Sequence, residues 1–115
     1  MSQLRVLMYH KVADVADFLT VTPTQFEQQL RIIKKTYTPV RLSEVIEHIC
    51  NKKALPKNAV LISFDDGYED NFTNAYPLLK QYDIPFCIFL VSGYLGRASL
   101  HDGKSQQFLT VDQLK

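Results

Sequence analysis

The chain has 115 residues, of which 46% are hydrophobic and 22% are charged, and its formal net charge is +1. This length allows one domain at most, with enough apolar residues for a hydrophobic core, and the composition is typical of a globular protein. The near-neutral charge gives no electrostatic reason to expect nucleic acid or a membrane surface as a partner. The basic pairs Lys34-Lys35 and Lys52-Lys53 are too short to form such a binding surface.

Residues 1–8 lack the apolar stretch and the small-residue cleavage site of a signal peptide, and no segment is long enough for a membrane-spanning helix. The chain as given is therefore expected in the cytoplasm. A chain whose leader had been removed would look the same, and it would then act outside the cell or in the envelope.

We expect Cys50 and Cys87 to be isolated core thiols rather than a disulfide or a metal-binding pair.

The first half of the chain begins with a strand over residues 4–9. A helix should follow, because Thr22 is a good N-cap, Pro23 suits the first helical position, and Gln25 completes a capping box. An extended piece over residues 37–41 then leads to a second helix. The apolar residues predicted for the buried faces of these two helices are Phe26, Leu30 and Ile33, and then Leu42, Val45, Ile46 and Ile49.

The second half continues the alternation of strands and helices. Residues 59–64 form a nearly continuous apolar strand, which predicts burial on both faces. A third helix should begin near Thr73, because Pro77 is tolerated only in a first helical turn. Residues 86–91 form another apolar strand, and Phe86, Phe89 and Tyr76 are predicted to lie in the core.

This alternation is typical of parallel βαβ units, so the fold class is α/β. Residues 92–109 are predicted to form a long loop, and Thr110 with Gln113 predicts the start of one more helix. Four parallel strands cannot close a barrel. We therefore expect part of an irregular (β/α) barrel that is incomplete in this chain, completed either by a larger domain or by association into a homo-oligomer.

Two adjacent acids, Asp65 and Asp66, follow the strand over residues 59–64. The carboxyl ends of parallel strands form the edge of the sheet where α/β enzymes carry their chemistry. Neighbouring carboxylates repel each other and lose hydration there, and a cation or a proton would relieve that cost. His10 follows the first strand in the same way, so parallel strands should bring it to the same edge.

Two familiar acidic motifs do not fit these residues. The Asp-x-Asp pattern of haloacid-dehalogenase-type phosphatases fails because Gly67 lies two positions after Asp65. An EF-hand loop fails because Tyr68 occupies the second ligand position and Asn71 the position of the turn glycine. The segment Ser-Phe-Asp-Asp-Gly at residues 63–67 instead resembles the first motif of the polysaccharide deacetylase family, the NodB-like carbohydrate esterases.

The resemblance extends through most of the chain, and it is to the branch that acts on poly-N-acetylglucosamine. We expect residues 1–115 to be the N-terminal portion of such a (β/α) barrel domain. The matching segments are Tyr9-His10, Thr22-Pro23 with Phe26, Leu42-Ser43-Glu44, Gly67-Tyr68 with Asp70-Asn71, Pro77-Leu78-Leu79-Lys80, Ile84-Pro85 and Leu109-Thr110.

The resemblance implies roles for three residues in hydrolysis of the N-acetyl amide of an N-acetylated carbohydrate. Asp65 would be the catalytic base, Asp66 would bind a divalent metal such as zinc, and His10 would protonate the departing amine. The family completes its metal site with a His-(Ser/Thr)-x-x-x-His motif after the element that begins here at Thr110. This chain does not contain that motif, so we expect weak metal binding and little activity from the chain alone.

The remaining histidines and two tyrosines are weaker candidates. His48 is interpreted as a residue that caps the end of a helix, and His101 as a solvent-facing loop residue. Tyr68 and Tyr94 could pack against a sugar ring or against the protein itself.

Three functional hypotheses remain at this point. The first is a metal-dependent deacetylase of N-acetylated sugars, represented by its N-terminal portion. The second is a truncated, inactive remnant that folds by dimerisation and serves as a binding or interaction module. The third is a different hydrolase, such as a phosphoesterase that uses the same acids on a smaller metabolite.

Overall fold

The computed structural model of the protein describes residues 3–101 and 104–115. Its strands and helices alternate along most of the chain, as predicted. In chain order they are β1 (Leu4–Tyr9), β2 (Lys11–Val12), β3 (Thr20–Val21), α1 (Pro23–Thr36), β4 (Thr38–Pro39), α2 (Leu42–Asn51), β5 (Ala59–Asp66), a π-helical turn (Asn71–Ala75), α3 (Tyr76–Gln81), β6 (Cys87–Leu90), a 3₁₀ turn (Ser92–Tyr94), β7 (Ala98–His101), β8 (Lys104–Gln107) and α4 (Val111–Leu114).

A four-stranded parallel sheet forms the centre of the fold, with β5 inside it. Strand β1 pairs with β5 along its whole length, from Leu4 opposite Ala59 to Tyr9 opposite Phe64. On the other side of β5, β4 pairs with its first two residues and β6 pairs with residues 63–66. All three pairings are parallel, so the carboxyl ends of β1, β5 and β6 lie at the same edge. The fold is mixed α/β with parallel strands, as the sequence predicts.

One face of this sheet packs against α1 and α3. Phe26 and Leu30 of α1 are fully buried, and the Phe26 ring meets the Tyr9 ring edge-on at 5.0 Å. The capping box predicted for α1 is present, because Thr22 accepts from the Gln25 backbone and the Gln25 side chain accepts from the Thr22 backbone. Residues 60, 62 and 64 of β5 supply the sheet side of this core.

Among the described residues, the opposite face is covered only at the amino ends of the strands. There Val45 of α2 packs with Ala59 and Leu61 in a second, smaller core. Towards the carboxyl ends, Val6 and Met8 of β1 are 56% and 62% exposed. We call this uncovered part of the sheet the open face; it comprises Val6, Met8, Phe89 and the positions beside them.

Several predicted core positions are exposed in the structure. Phe89 is 53% exposed and Tyr76 is 40% exposed, although both are predicted in the core. Ile46 and Ile49 of α2 are also exposed, as is the thiol-bearing residue Cys50. These predictions are wrong because an apolar pattern shows which side chains favour burial but not whether another element covers them. Phe86 does pack against the main core, as predicted, although it is only partly buried.

The chain after β5 differs from the prediction in two places. Helical structure begins at Asn71 rather than near Thr73, because a π-helical turn precedes α3 and leaves Pro77 in the first turn of α3. A proline there needs no hydrogen-bond partner for its nitrogen. The predicted loop over residues 92–109 contains the antiparallel hairpin of β7 and β8.

None of the helices in the described ranges has the length and apolar character needed to span a bilayer.

Candidate active site

The register of β1 and β5 brings His10 and Asp65 together. Met8 lies opposite Ser63, and side chains alternate between the two faces along each strand, so positions 10 and 65 continue the open face. The His10 Nε2 and Asp65 Oδ2 atoms are 4.0 Å apart, and the two side chains are 20% and 31% exposed. The pair is therefore partly sheltered but still reachable from solvent.

A tight turn follows immediately after Asp65. Asp66 has a φ of 77° and Gly67 a φ of 71°, so two consecutive residues are left-handed. This conformation is uncommon for a residue with a side chain, and such strain is concentrated at functional sites. A Cβ atom on Gly67 would lie 2.7 Å from the Cδ2 of Leu90, the end of a flexible side chain that can move aside, so it is the left-handed φ that favours glycine there.

The segment after β8 holds this turn from outside. The Leu109 N–H donates to the Gly67 carbonyl at 2.9 Å, and the Glu69 N–H donates to the Gln107 carbonyl at the same distance. The Tyr68 ring is buried and stacks on the Phe108 ring, with centroids 5.0 Å apart. Tyr68 thus packs against the protein. Tyr94 is partly exposed and also contacts Phe108, with centroids 4.8 Å apart.

Lys11 is a buried charge beside His10 that sequence reasoning did not select. Its ammonium group lies 2.7 Å from Asp17 Oδ2 and 5.5 Å from the centre of the Tyr68 ring, and it donates to Gln106 Oε1 at 3.5 Å. Hydrogen bonds from Lys11 and Thr20 lower the pKa of Asp17 to about 2. Lys11 therefore ties the loop before β3 to the base of the site.

Asp70 is a partly buried carboxylate that the sequence did not single out as a site residue. Its Oδ1 accepts from the Val12 N–H at 3.0 Å and from Asn71 Nδ2 at 3.1 Å. Burial raises the pKa of Asp70 to about 6, because loss of hydration outweighs these hydrogen bonds and the nearby Lys11 charge. In the sequence, the position stood out only because Asp70-Asn71 is one of the segments that resemble the polysaccharide deacetylase family.

An open cleft of 430 Å³ lies beside His10. Its walls include Met8 and Leu19, and Phe18 stands at its rim with a fully exposed ring. An exposed aromatic ring and an adjacent apolar wall provide a surface on which the flat face of a sugar could pack. The cleft leads to the histidine of the pair.

The other sequence candidates lie away from this pair or outside the described side chains. His48 is at the end of α2, where its Nδ1 lies 2.6 Å from the Lys53 carbonyl, in agreement with its interpretation as a capping residue. The side chain of His101 is outside the described residues. Within the described part of the chain, no group of three or more His, Cys, Asp or Glu residues could hold a metal ion.

The family assignment comes from sequence comparison. The family model described as polysaccharide deacetylase matches residues 52–111, which include the whole of β5 and the turn at Asp66. The chain belongs to the polysaccharide deacetylase family. The roles that the family resemblance gives to Asp65, Asp66 and His10 remain predictions.

Two curated relatives of this polysaccharide deacetylase chain are similar to it in sequence. The YxkH protein of Bacillus subtilis is 33% identical over 118 positions, which cover 99% of this chain and 38% of the relative. A poly-β-1,6-N-acetyl-D-glucosamine N-deacetylase of Staphylococcus aureus is 34% identical over 83 positions, covering 72% of this chain and 29% of that protein. The chain thus spans well under half of the length of either relative.

A solved structure shares the fold. IcaB from Ammonifex degensii superposes with a TM-score of 0.86 at 29% identity, and the match covers 99% of this chain and 47% of that chain. The two-layer arrangement of this polysaccharide deacetylase chain therefore corresponds to about half of a (β/α) barrel. The open face is consistent with a barrel that is incomplete in this chain.

Proposed function

We propose that this protein takes part in hydrolysis of the N-acetyl amide of an N-acetylated sugar polymer. The observation that carries the proposal is the approach of His10 and Asp65 to 4.0 Å on the open face, next to an accessible cleft. A carboxylate and an imidazole at this separation can both contact one reacting group that lies beside the pair. Membership in the polysaccharide deacetylase family supplies the class of reaction.

In this proposal Asp65 is the general base and His10 the general acid. Asp65 removes a proton from the water that attacks the acetyl carbonyl carbon, and a tetrahedral intermediate forms. The C–N bond then breaks, His10 gives a proton to the leaving nitrogen, and acetate and a free amine are the products. The partial exposure of both side chains lets water and a polymer chain reach them.

A divalent metal fits the described residues only in part. Asp66 offers a carboxylate oxygen at the turn after Asp65, which suits a cation, but a catalytic zinc usually has three protein ligands. The described part of the chain brings no such group of three together. A bound metal would polarise the acetyl carbonyl and make water more acidic. Asp66 is the residue of this chain that we propose as its ligand, and further ligands must come from elsewhere.

The proposed substrate is a polymer that contains N-acetylglucosamine. The printed name of the S. aureus relative specifies poly-β-1,6-N-acetyl-D-glucosamine as the substrate of that protein. The exposed Phe18 ring beside the cleft suits a sugar face. A polymer of this kind is met at the cell envelope or outside it, so we propose that location in preference to the cytoplasm.

Acetate release tests this proposal directly. The assay uses β-1,6-linked N-acetylglucosamine oligomers, with β-1,4-linked oligomers and p-nitrophenyl phosphate as comparison substrates, and the protein carries any further sequence that its gene encodes. We expect acetate from the β-1,6-linked oligomers, loss of activity after chelation, and recovery with added Zn²⁺. Turnover of the phosphate ester alone would contradict the proposal and favour a phosphoesterase.

A matched pair of variants separates the role of Asp66 from a general charge effect. Asp66→Asn should lower the affinity for Zn²⁺, whereas Asp112→Asn should not, because Asp112 is an exposed carboxylate on α4. If both variants bound Zn²⁺ as the parent does, Asp66 would not be a metal ligand.

The second candidate is an inactive binding module that completes its fold by dimerisation. The exposed apolar residues of the open face favour it, because such a surface is an ordinary site of association. This candidate predicts a melting temperature that rises with protein concentration, together with no acetate release. A concentration-independent melting temperature would count against it.

A further inference from the structure

The segment that carries His10 leaves the central sheet after β1, so the sheet does not fix its position. Its Lys11 and Ala13 N–H groups donate to the Leu19 and Val21 carbonyls, and side chains from residues 70–74 bind other backbone groups of the segment. Asn71 Nδ2 donates to the His10 carbonyl at 2.9 Å, and the Val12 N–H donates to Asp70 Oδ1 at 3.0 Å. Asn74 Nδ2 donates to the Val12 carbonyl at 2.7 Å. Three side chains therefore bind three backbone groups of residues 10 and 12, on either side of Lys11.

Packing alone does not explain the choice of these residues. Asn71 is 2% exposed, and among the described residues its Oδ1 has no hydrogen-bond partner. A buried amide oxygen without a partner is unfavourable, as is the burial that raises the pKa of Asp70. An apolar side chain at position 71 would avoid the first cost. The hydrogen bond from this amide to the His10 carbonyl offsets part of that cost.

We propose that Asp70, Asn71 and Asn74 are positioning residues that hold the His10 imidazole against Asp65. This inference rests on the proposed function and adds to it the residues that set the geometry of the acid–base pair. The three residues lie a few positions after the Asp66-Gly67 turn, so one short stretch of chain determines both sides of the pair. Asp65 lies at the start of this stretch, and the side chains at its end bind the backbone of the segment that carries His10.

A near-isosteric substitution at position 71 tests the proposal. Asn71→Leu keeps the number and branching of side-chain heavy atoms, removes the donor to the His10 carbonyl and removes the unpaired oxygen. Because reacting groups that are misplaced by about 1 Å can lower rates by about a hundred-fold, we expect kcat to fall roughly 30-fold while KM stays within about threefold. Asn51→Leu is the matched control, because Asn51 is an exposed amide on α2 that donates to Glu47. A kcat for Asn71→Leu equal to that of the control would overturn the proposal.

Two substitutions of Asp70 distinguish positioning from charge. Asp70→Asn retains an oxygen that accepts from the Val12 N–H, and Asp70→Ala does not. We expect Asp70→Ala to lower kcat and to speed hydrogen exchange of the Val12 amide by about tenfold, because the amide loses its acceptor. Asp70→Asn should restore most of both. If the two variants behaved alike, the hydrogen bond would not be what positions the segment.

A structural measurement keeps this test separate from the proposed function. If the parent protein releases no acetate, the proposed function fails, and crystal structures of the parent and of Asn71→Leu then decide the geometry. The positioning role requires the distance from His10 Nε2 to Asp65 Oδ2 to change by about 1 Å or more in the variant. An unchanged distance would overturn the role, whatever the enzyme assay shows.

Discussion

One face of the central sheet is covered by α1 and α3, whereas the other is covered by α2 only at the amino ends of the strands and carries His10 and Asp65 at their carboxyl ends. On the covered face Phe26 and Phe64 are fully buried, while on the open face Met8 is 62% exposed. The covered face determines stability, and the open face is free to hold reactive groups. Substitutions on the two faces should therefore affect different properties.

The largest expected effect is on the open face, at the proposed base. Asp65→Asn removes the proton acceptor but keeps the size of the side chain, so acetate release should fall by about a thousand-fold. The melting temperature should change little, because Asp65 is partly exposed and lies outside both cores. Activity within tenfold of the parent would remove Asp65 as the base.

A pair of phenylalanine substitutions compares the faces in terms of stability. Phe26→Ala on the covered face should lower the free energy of unfolding by about 3–5 kcal/mol, because it leaves a cavity among buried rings. Phe89→Ala makes the same chemical change where the ring is 53% exposed, and about 1 kcal/mol or less is expected. Urea denaturation measures both. Equal losses would show that another surface covers the open face in solution.

A substitution in the turn at Asp66 and Gly67 should lower both stability and activity. Gly67→Ala places a Cβ atom 2.7 Å from Leu90 Cδ2, the movable end of a side chain, in a residue whose φ is 71°, a left-handed conformation that alanine adopts only with strain. We expect a loss of about 1–3 kcal/mol in stability. Activity should fall as well, because Asp65 and Asp66 immediately precede this residue. A stable and fully active variant would show that the turn is not required for the site.

The smallest expected effect concerns pH. The pKa of Asp70 is raised from 3.8 to about 6, so between these values the folded protein binds more protons than the unfolded chain. The free energy of unfolding should therefore fall as pH rises from about 4 to about 6, and the deficit should be complete above that range. The pKa of Asp17 is lowered to about 2, so its stabilising contribution is lost only as pH falls below about 4, and the two windows do not overlap.

Asp70→Asn should flatten the stability profile between pH 4 and 6, by about 1 kcal/mol once solvent screening is considered. Chemical denaturation at each pH provides the profile. Asp83→Asn is a suitable control, because Asp83 precedes β6 at the other end of the molecule. A profile that stays unchanged in Asp70→Asn would contradict the burial that we assign to this carboxylate.

Much of the covered face could be predicted from the sequence, because its signals are local. The capping box at Thr22 and Gln25 and the spacing of Phe26 and Leu30 specify α1, and the continuous apolar run specifies β5. The exposure of Phe89 could not be predicted in this way. Strand β6 is as apolar as β5, and only the arrangement of distant elements shows that β5 is buried and β6 is not.

The placement of His10 and Asp65 at one edge of the sheet could also be predicted from the sequence. His10 and Asp65 lie at the carboxyl ends of two strands, and because the fold class makes those strands parallel, both ends were expected at one edge of the sheet. The register that brings the two side chains to 4.0 Å was found only in the structure. The residues that bind the His10 segment were not predicted as such. Asn71 and Asn74 act on backbone groups about sixty positions away, and no local pattern in a sequence reveals contacts of that range.

The central claim is that His10 and Asp65 act as one catalytic unit, and a double-mutant cycle on acetate release tests it most directly. The parent, His10→Gln, Asp65→Asn and the double variant are compared by kcat/KM. Residues that act as a unit are strongly non-additive, so the double variant should be about as slow as the slower single variant. A double variant whose loss equals the product of the two single losses would show that the residues act independently and would contradict the account.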